Sequence, residues 1–539
     1  MTTSYVSYKT KIATARAFRD SFKESVPKKI GYIFLSKSKP YADENVATDM
    51  ADTVAQEKDI WDNMILAKRV IPNDIELVIP RYDWLPGAKY KQYDDTANLE
   101  SLLSISYEND GTPIYPMYVI NTEGNVYKCI SNNAGSISII EPTGTYTDND
   151  GFFQSDLNGQ NEYLWKYMYN VRGTSKFFTG SWIPVPYIQA NTQYTEYNFS
   201  TTNLIDGSLC KIDVSNTGSG YFHTTLNVRS FSAGSNTLNI SDDVDLTIST
   251  TIKPNMLVTG NGLLDSTYIT NIDPSKPLTL FLSTNTIGTG GGNTVTNRIT
   301  IKTRVVVDGD GTGGTTNVVL SGNTIQKIDV TNIGTGYTKA NIAIYGSGTS
   351  ANARAVLPPK FGHGYNPAVE LGATNVMVLS RVGEIDATEG GLVPVNIDFR
   401  EYGLLINPYK YKKVDDVDVS VLSEYNANTI VSQTTDLELI SFSGFVEDEM
   451  VYQGTVENPT FVGYVVYQDV NSVKLNNVYK TPTVGGQIVG STSGHQNVVV
   501  SVKNPDLQPY AGDILFGKNI LKVGRSIAQS EEVKLVFKF

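Results

Sequence analysis

The chain has 539 residues and a mass of 59.0 kDa, enough for several hydrophobic cores, so roughly two to four domains are expected. Its net charge of -12 and pI near 4.9 argue against a nucleic-acid partner, because a phosphate backbone calls for a basic patch or stripe. Hydrophobic residues make up 40% and charged residues only 18%, which leaves a Thr, Ser, Asn, Gly and Tyr remainder suited to strands and turns. Met1 to Ile12 has no basic start and no continuous apolar run, so no secretory signal is expected, and no stretch approaches the roughly 20 apolar residues of a membrane helix. Cys129 and Cys210, the only cysteines, stand far apart without paired spacing, which fits synthesis in a reducing compartment and two buried, inert side chains.

In chain order, Ala15, Phe18 and Phe22 recur at helical spacing before Pro27, which predicts a short amphipathic helix over Thr14 to Ser25. Ile30 to Leu35 reads as a strand. A second helix is expected from Asp52 to Arg69, with Ile60, Trp61, Met64 and Ile65 on one face. After Pro80 the texture changes to short apolar runs between turn residues, as in Tyr115 to Ile120, Asn125 to Ile130 and Ile137 to Ile140. The sequence KIDVSNTGSGY from Lys211 returns as KIDVTNIGTGY from Lys327, each copy reading as strand, glycine turn and strand, with Tyr221 or Tyr337 covering the glycine-exposed backbone. A second β block, with strands such as Phe461 to Tyr467 and Ser472 to Leu475, reads as a small meander or barrel. Glu532 to Phe539 reads as a terminal strand added to a sheet. The expected fold is mainly β: an α/β N-terminal part plus several β-sandwich or small β-barrel modules. The expected blocks are a scaffold at 1–204, inserted β modules at 205–357, scaffold again at 358–436, the meander at 437–505 and completing strands at 506–539.

Residues able to carry chemistry are sparse. His223, His363 and His495 each lie near glycine without a partner at metal-ligand spacing, and no Cys-x-x-Cys or G-x-S-x-G occurs. Asp308 to Gly313 begins like a calcium loop, but its fifth position is Thr312 and its twelfth is Val319, where a bidentate Glu is required, so a glycine-rich hairpin is expected instead. The 32 tyrosines suit sugar sites and protein interfaces alike, and most are accounted for as ordinary strand residues. No catalytic residue, metal ligand or cofactor is expected.

Three stretches in order carry a family resemblance: Trp61 to Trp84, ending in VIPRYDW; NEYLWKYMYNV, Asn161 to Val171; and the C-terminal run from Gly512 to Phe539. Together they resemble the baseplate wedge subunits (protein-eight type) of T-even-like contractile-tailed phages, in their larger cyanophage-type version. FGHGYNPAVELGA, Phe361 to Ala373, adds support, and the sequence departs at Ala528, where an acidic residue is expected before Gln-Ser-Glu. The resemblance implies a non-enzymatic homodimer in the virion tail baseplate, made in the host cytoplasm. Its partners would be other wedge proteins and tail fibres, not nucleic acid or membrane. Within the motifs, Arg81, Asp83, Trp84, Trp165, Tyr167, Glu531 and Phe537 are the candidate contact residues. Pro80 stiffens the turn that presents RYDW, either to a neighbour or as a local Arg–Asp contact at a domain edge. The rival expectation is a receptor-binding or tail-fibre-like protein whose β modules hold a host glycan. A glycan-cleaving enzyme would need two carboxylates roughly 5–9.5 Å apart, and no motif marks such a pair.

Overall fold

A computed structural model describes residues 6–23, 29–145, 152–155, 163–171, 175–187, 205–241, 250–275, 278–291, 298–382, 397–411, 430–525, 529 and 531–539. The fold is mainly β, with several sheets and one closed six-stranded barrel. Among the described residues no helix is long and apolar enough to cross a membrane. The chain divides into two compact units, one of Met1–Ile79, Lys176–Val185 and Ala373–Phe539, the other of Pro80–Ser175 and Pro186–Gly372. Residues 80–175 therefore group with the β modules that follow them and not with the first 79 residues.

In the first unit the amphipathic helix spans Tyr8–Lys23 and buries Ile12, Ala15 and Phe22; the end expected at Ser25 lies outside the described residues. Gly31–Ser36 forms a strand at the centre of a five-stranded sheet, in the order 430–432, 64–70, 31–36, 398–406, 513–524. The second helix is shorter than expected. It runs from Val54 to Asn63, capped where Thr53 Oγ1 accepts the Gln56 N–H at 3.2 Å, and Met64–Val70 is a strand. All seven of those strand residues are buried between two partner strands. A strand buried on both faces carries an unbroken apolar run, which periodicity does not separate from a helix.

A second sheet of the same unit joins 182–184, 75–80, 375–382 and 531–538 in that order. The C-terminal strand thus pairs along its whole length with Asn375–Val382, and Phe537 and Phe539 pack on Phe18 of the first helix at 5.3 and 5.4 Å between ring centroids. The block read as a meander or barrel closes as a barrel of six strands between Thr435 and Lys503. Alternating residues such as Leu437, Val451, Phe461, Val473, Ile488 and Val499 fill its interior.

In the second unit, strands 118–120, 125–131, 163–170 and 152–155 form a sheet around an aromatic core. Ile137 to Ile140 is not a strand: only Ser138 pairs, as a single bridge to Ala88, and Ile137 and Ile139 are each 42% exposed. Further along, the KIDV repeat proves to be the visible half of a larger duplication. Val305–Leu320 and Ile342–Leu357 also correspond, sharing Gly309/Gly346, Gly311/Gly348 and Thr312/Thr349. Equivalent residues face each other across antiparallel pairs, Ile212 opposite Ile328 and Val306 opposite Ala343, so a local two-fold axis runs through the module.

The hydrogen bonds obey the same axis. Tyr221 N–H donates to Asn323 O at 3.0 Å as Tyr337 N–H does to Gly207 O at 2.9 Å, and Gly218 and Gly334 N–H donate to Asn216 and Asn332 Oδ1, both at 3.0 Å. Each tyrosine lies on the glycines of the other copy: a Cβ added at Gly348 or Gly311 would come within 2.4 Å of the Tyr221 or Tyr337 ring. Thr338 to Ala340 joins Tyr337 to the next strand. At the equivalent point of the first copy the chain runs instead through a separate β module, 224–302, whose buried core, from Leu226 to Ile301, is its own.

Candidate functional site

The seven contact candidates do not form one site. Arg81, Asp83, Trp84, Trp165 and Tyr167 belong to the second unit, Glu531 and Phe537 to the first. Arg81 grips Asp83 in the local contact: Nε and Nη2 donate to Oδ1 at 2.9 and 2.8 Å, with side chains 26% and 53% exposed. At such exposure an ion pair contributes about 0–1 kcal/mol. Trp84 turns inward, its Nε1 donating to Ser138 Oγ at 3.0 Å, and packs on the cluster of Tyr90, Tyr127, Tyr163 and Trp165. Trp165 is fully buried, stacked on Tyr163 with centroids 5.4 Å apart, so its side chain belongs to the core and not to the surface. Tyr167 is half-buried edge-on to Tyr127, and burial pushes its phenol up to about 12. In the first unit Glu531 pairs with Arg525 Nε at 2.8 Å, and Phe537 contacts Phe18 and Phe516.

A polar cluster that the sequence did not reveal lies inside the second unit. Strand 125–131 brings Lys128 inward, and the 361–372 segment wraps its ammonium group. Lys128 Nζ donates to Glu370 Oε2 at 2.9 Å and to His363 Nδ1 at 3.1 Å, and sits 4.1 Å from the Tyr93 ring centroid. Glu370 Oε1 accepts the Gly364 N–H at 2.8 Å, and His363 Nε2 lies 3.0 Å from Cys210 Sγ. Burial pushes the Glu370 carboxyl up, but Lys128 and His363 outweigh it and hold it at about 2. Burial, then Lys128, lower His363 to about 4, so the ring is neutral at pH 7.

Cysteine, histidine and glutamate in contact suggest nucleophilic catalysis, and the geometry argues against it. An ammonium donating to Nδ1 leaves the proton on Nε2, which therefore donates to the sulfur and offers Cys210 no base. Burial also raises the Cys210 thiol far above its ordinary value. The cluster is a structural clip, tying strand 125–131 to the 205–210 and 361–372 segments. Among the described residues no group of three or more His, Cys, Asp or Glu is placed to hold a metal ion. Asp308 to Gly313 is not the expected hairpin: strands 304–309 and 312–321 on either side of it pair with 340–345 and 324–335 and not with each other, and the Asp310 carboxylate accepts the Thr338 and Lys339 N–H groups at 2.8 and 3.0 Å.

No protein-family model matches the chain, and a search of curated proteins finds no significant match.

Proposed function

We propose that the chain is a structural subunit of a contractile phage tail baseplate, acting as a wedge protein that holds its neighbours during assembly and during the rearrangement that triggers sheath contraction. The reading rests on the three motif stretches. The observation that supports it is that they furnish framework: Val78–Pro80 and Glu531–Lys538 share one four-stranded sheet, while Trp84 and Trp165 meet in one aromatic core. Residues so placed set the shape of each unit, and shape is what an assembly subunit supplies. Its partners in this reading are a second copy of itself, other wedge proteins and tail fibres. It needs no cofactor and performs no reaction.

The test is to label the chain in intact tails, through a peptide tag inserted at the exposed Gly322 turn, and to image them by electron microscopy. Label at the baseplate periphery is the expected result. Label confined to the fibres would favour the receptor-binding alternative, and its absence from purified tails would overturn both.

A further inference from the structure

The barrel between Thr435 and Lys503 is closed, so it offers no strand edge to a partner, and what it presents to other molecules is side chains. At one end of it the 440–449 connection lies against the turn at 470–471 and the start of strand 496–503. Leu439 N–H donates to Asn471 O at 2.8 Å, Ile440 N–H to Val498 O at 3.1 Å and Ser443 N–H to Val470 O at 2.9 Å. These bonds gather three apolar side chains that face solvent: Ile440 at 70% exposure, Phe442 at 68% and Val470 at 64%. Together they show on the order of 300 Å² of apolar surface, in the range of the largest patch on a typical soluble chain, which often serves a function.

The backbone beneath this patch is held firmly. Asn497, itself buried, donates both hydrogens of its amide to the connection, to Ser441 O at 3.1 Å and Phe442 O at 3.0 Å. Ser443 Oγ and Phe445 N–H both donate to Gln468 Oε1, at 2.8 and 3.1 Å, and Gln468 Nε2 donates back to Phe445 O at 2.6 Å. Phe445 turns into the barrel core and meets His495 edge-on. The same connection thus buries one phenylalanine and fixes another in water three residues earlier. An aromatic side chain on a backbone already ordered loses little freedom when a partner covers it, which is the character of an interface anchor.

The charges around the patch decide what fits it. The charged residues from Leu437 to Val473 are Glu438, Glu447, Asp448, Glu449, Glu457 and Asp469, all acidic, with no lysine or arginine among them. Glu438 precedes Ile440 by two residues and Asp469 precedes Val470 directly, and both are exposed. Lys37 approaches Asp448 at 3.3 Å, but it is buried and paired with Asp398. A second copy docked on this end would set carboxylates against carboxylates, and an anionic lipid surface would be repelled in the same way. An apolar segment flanked by cations satisfies both the patch and its rim.

We propose that this end of the barrel docks a segment of another protein, whose apolar side chains cover Ile440, Phe442 and Val470 while its lysines or arginines meet Glu438 and Asp469. The surface is built within one barrel of one chain, so it stands or falls independently of the baseplate reading.

The test selects random twelve-residue peptides, displayed on yeast, against the full chain, with counter-selection on a variant carrying Ile440→Ser and Phe442→Ser. Both replaced side chains are mostly in water, so the variant is expected to keep its fold, which circular dichroism checks. Enriched peptides are expected to combine leucine or an aromatic residue with lysine or arginine. A synthetic copy of the most enriched one should bind the full chain at about 10 μM in titration calorimetry and at least about tenfold more weakly to the serine variant. A second variant, Glu438→Lys with Asp469→Lys, keeps the apolar side chains and should weaken the same peptide by about fivefold and remove most of the salt dependence of its binding. Enrichment no better than the starting library, enriched peptides without an excess of basic residues, or binding that both variants leave unchanged would overturn the proposal. So would self-association of the parent that the serine variant loses, which would assign the patch to a second copy, or co-sedimentation with phosphatidylglycerol vesicles that it loses, which would assign it to lipid.

Discussion

Replacing Glu401 by glutamine should raise the stability of the chain at neutral and alkaline pH while leaving it nearly unchanged at pH 4.5. Glu401 lies on strand Asp398–Ile406, beside the central strand and opposite its Ser36, and is 1% exposed. Its Oε1 has no hydrogen-bond partner, and burial, then the charge of Asp59 on the neighbouring helix, push its carboxyl from 4.5 up to about 8. The folded chain therefore holds a proton that the unfolded chain releases. For an acid raised in this way the contribution is fully present below pH 4.5 and is lost as pH rises toward and through 8.

The slope inside that window is about 1.4 kcal/mol per pH unit, which accumulates to about 3 kcal/mol by pH 7. A glutamine has the same shape and never ionises, so it escapes that loss; local relaxation around a buried charge makes the figure an upper bound. The assay is urea unfolding of parent and variant at half-unit steps from pH 4.5 to 8.5. His363 titrates with the opposite sign in both proteins, because its pKa is lowered, and it cancels in the difference. Two parallel stability curves would refute the reasoning, since they would mean that Glu401 is already ionised in the folded chain at pH 7.

Lys128→Met should destabilise the second unit by about 3–5 kcal/mol, because it strands the Glu370 carboxylate, and adding Glu370→Leu should recover much of that loss; thermal scans of the single and double variants check both. Excising residues 222–303 and joining Tyr221 to Arg304 through Thr-Lys-Ala, the linker of the second repeat, should leave a soluble chain with the parent's oligomeric state. Size-exclusion chromatography and circular dichroism decide it, and an insoluble product would count against a self-contained 224–302 module. On the baseplate reading, light scattering at micromolar concentration should give twice 59.0 kDa, and a monomer across the whole dilution series would count against that reading.

Much of the architecture was legible in the sequence because strands and turns write local signals. Alternation marked the barrel block and the terminal strand, and paired glycines before a tyrosine marked the repeat. What the sequence left undecided depends on who lies alongside. Met64–Val70 has apolar residues on every side, and only insertion between two strands made it extended. The second half of the duplication stayed hidden because one copy is interrupted by 224–302 and the shared residues are few, so the strand pairings and matched hydrogen bonds were needed to reveal the axis.

The sequence by itself determined a mainly β chain and its repeated KIDV segments, both of which follow from residue types at short spacing. Only the tertiary structure decided that Trp165 is core while Trp84 closes over it, since an aromatic ring serves a core and a surface equally well. It alone brought His363 and Glu370 to Lys128, 235 and 242 positions away. Such meetings carry no local signature, because burial and partnership are set by the packing of distant strands and not by the neighbours in the chain.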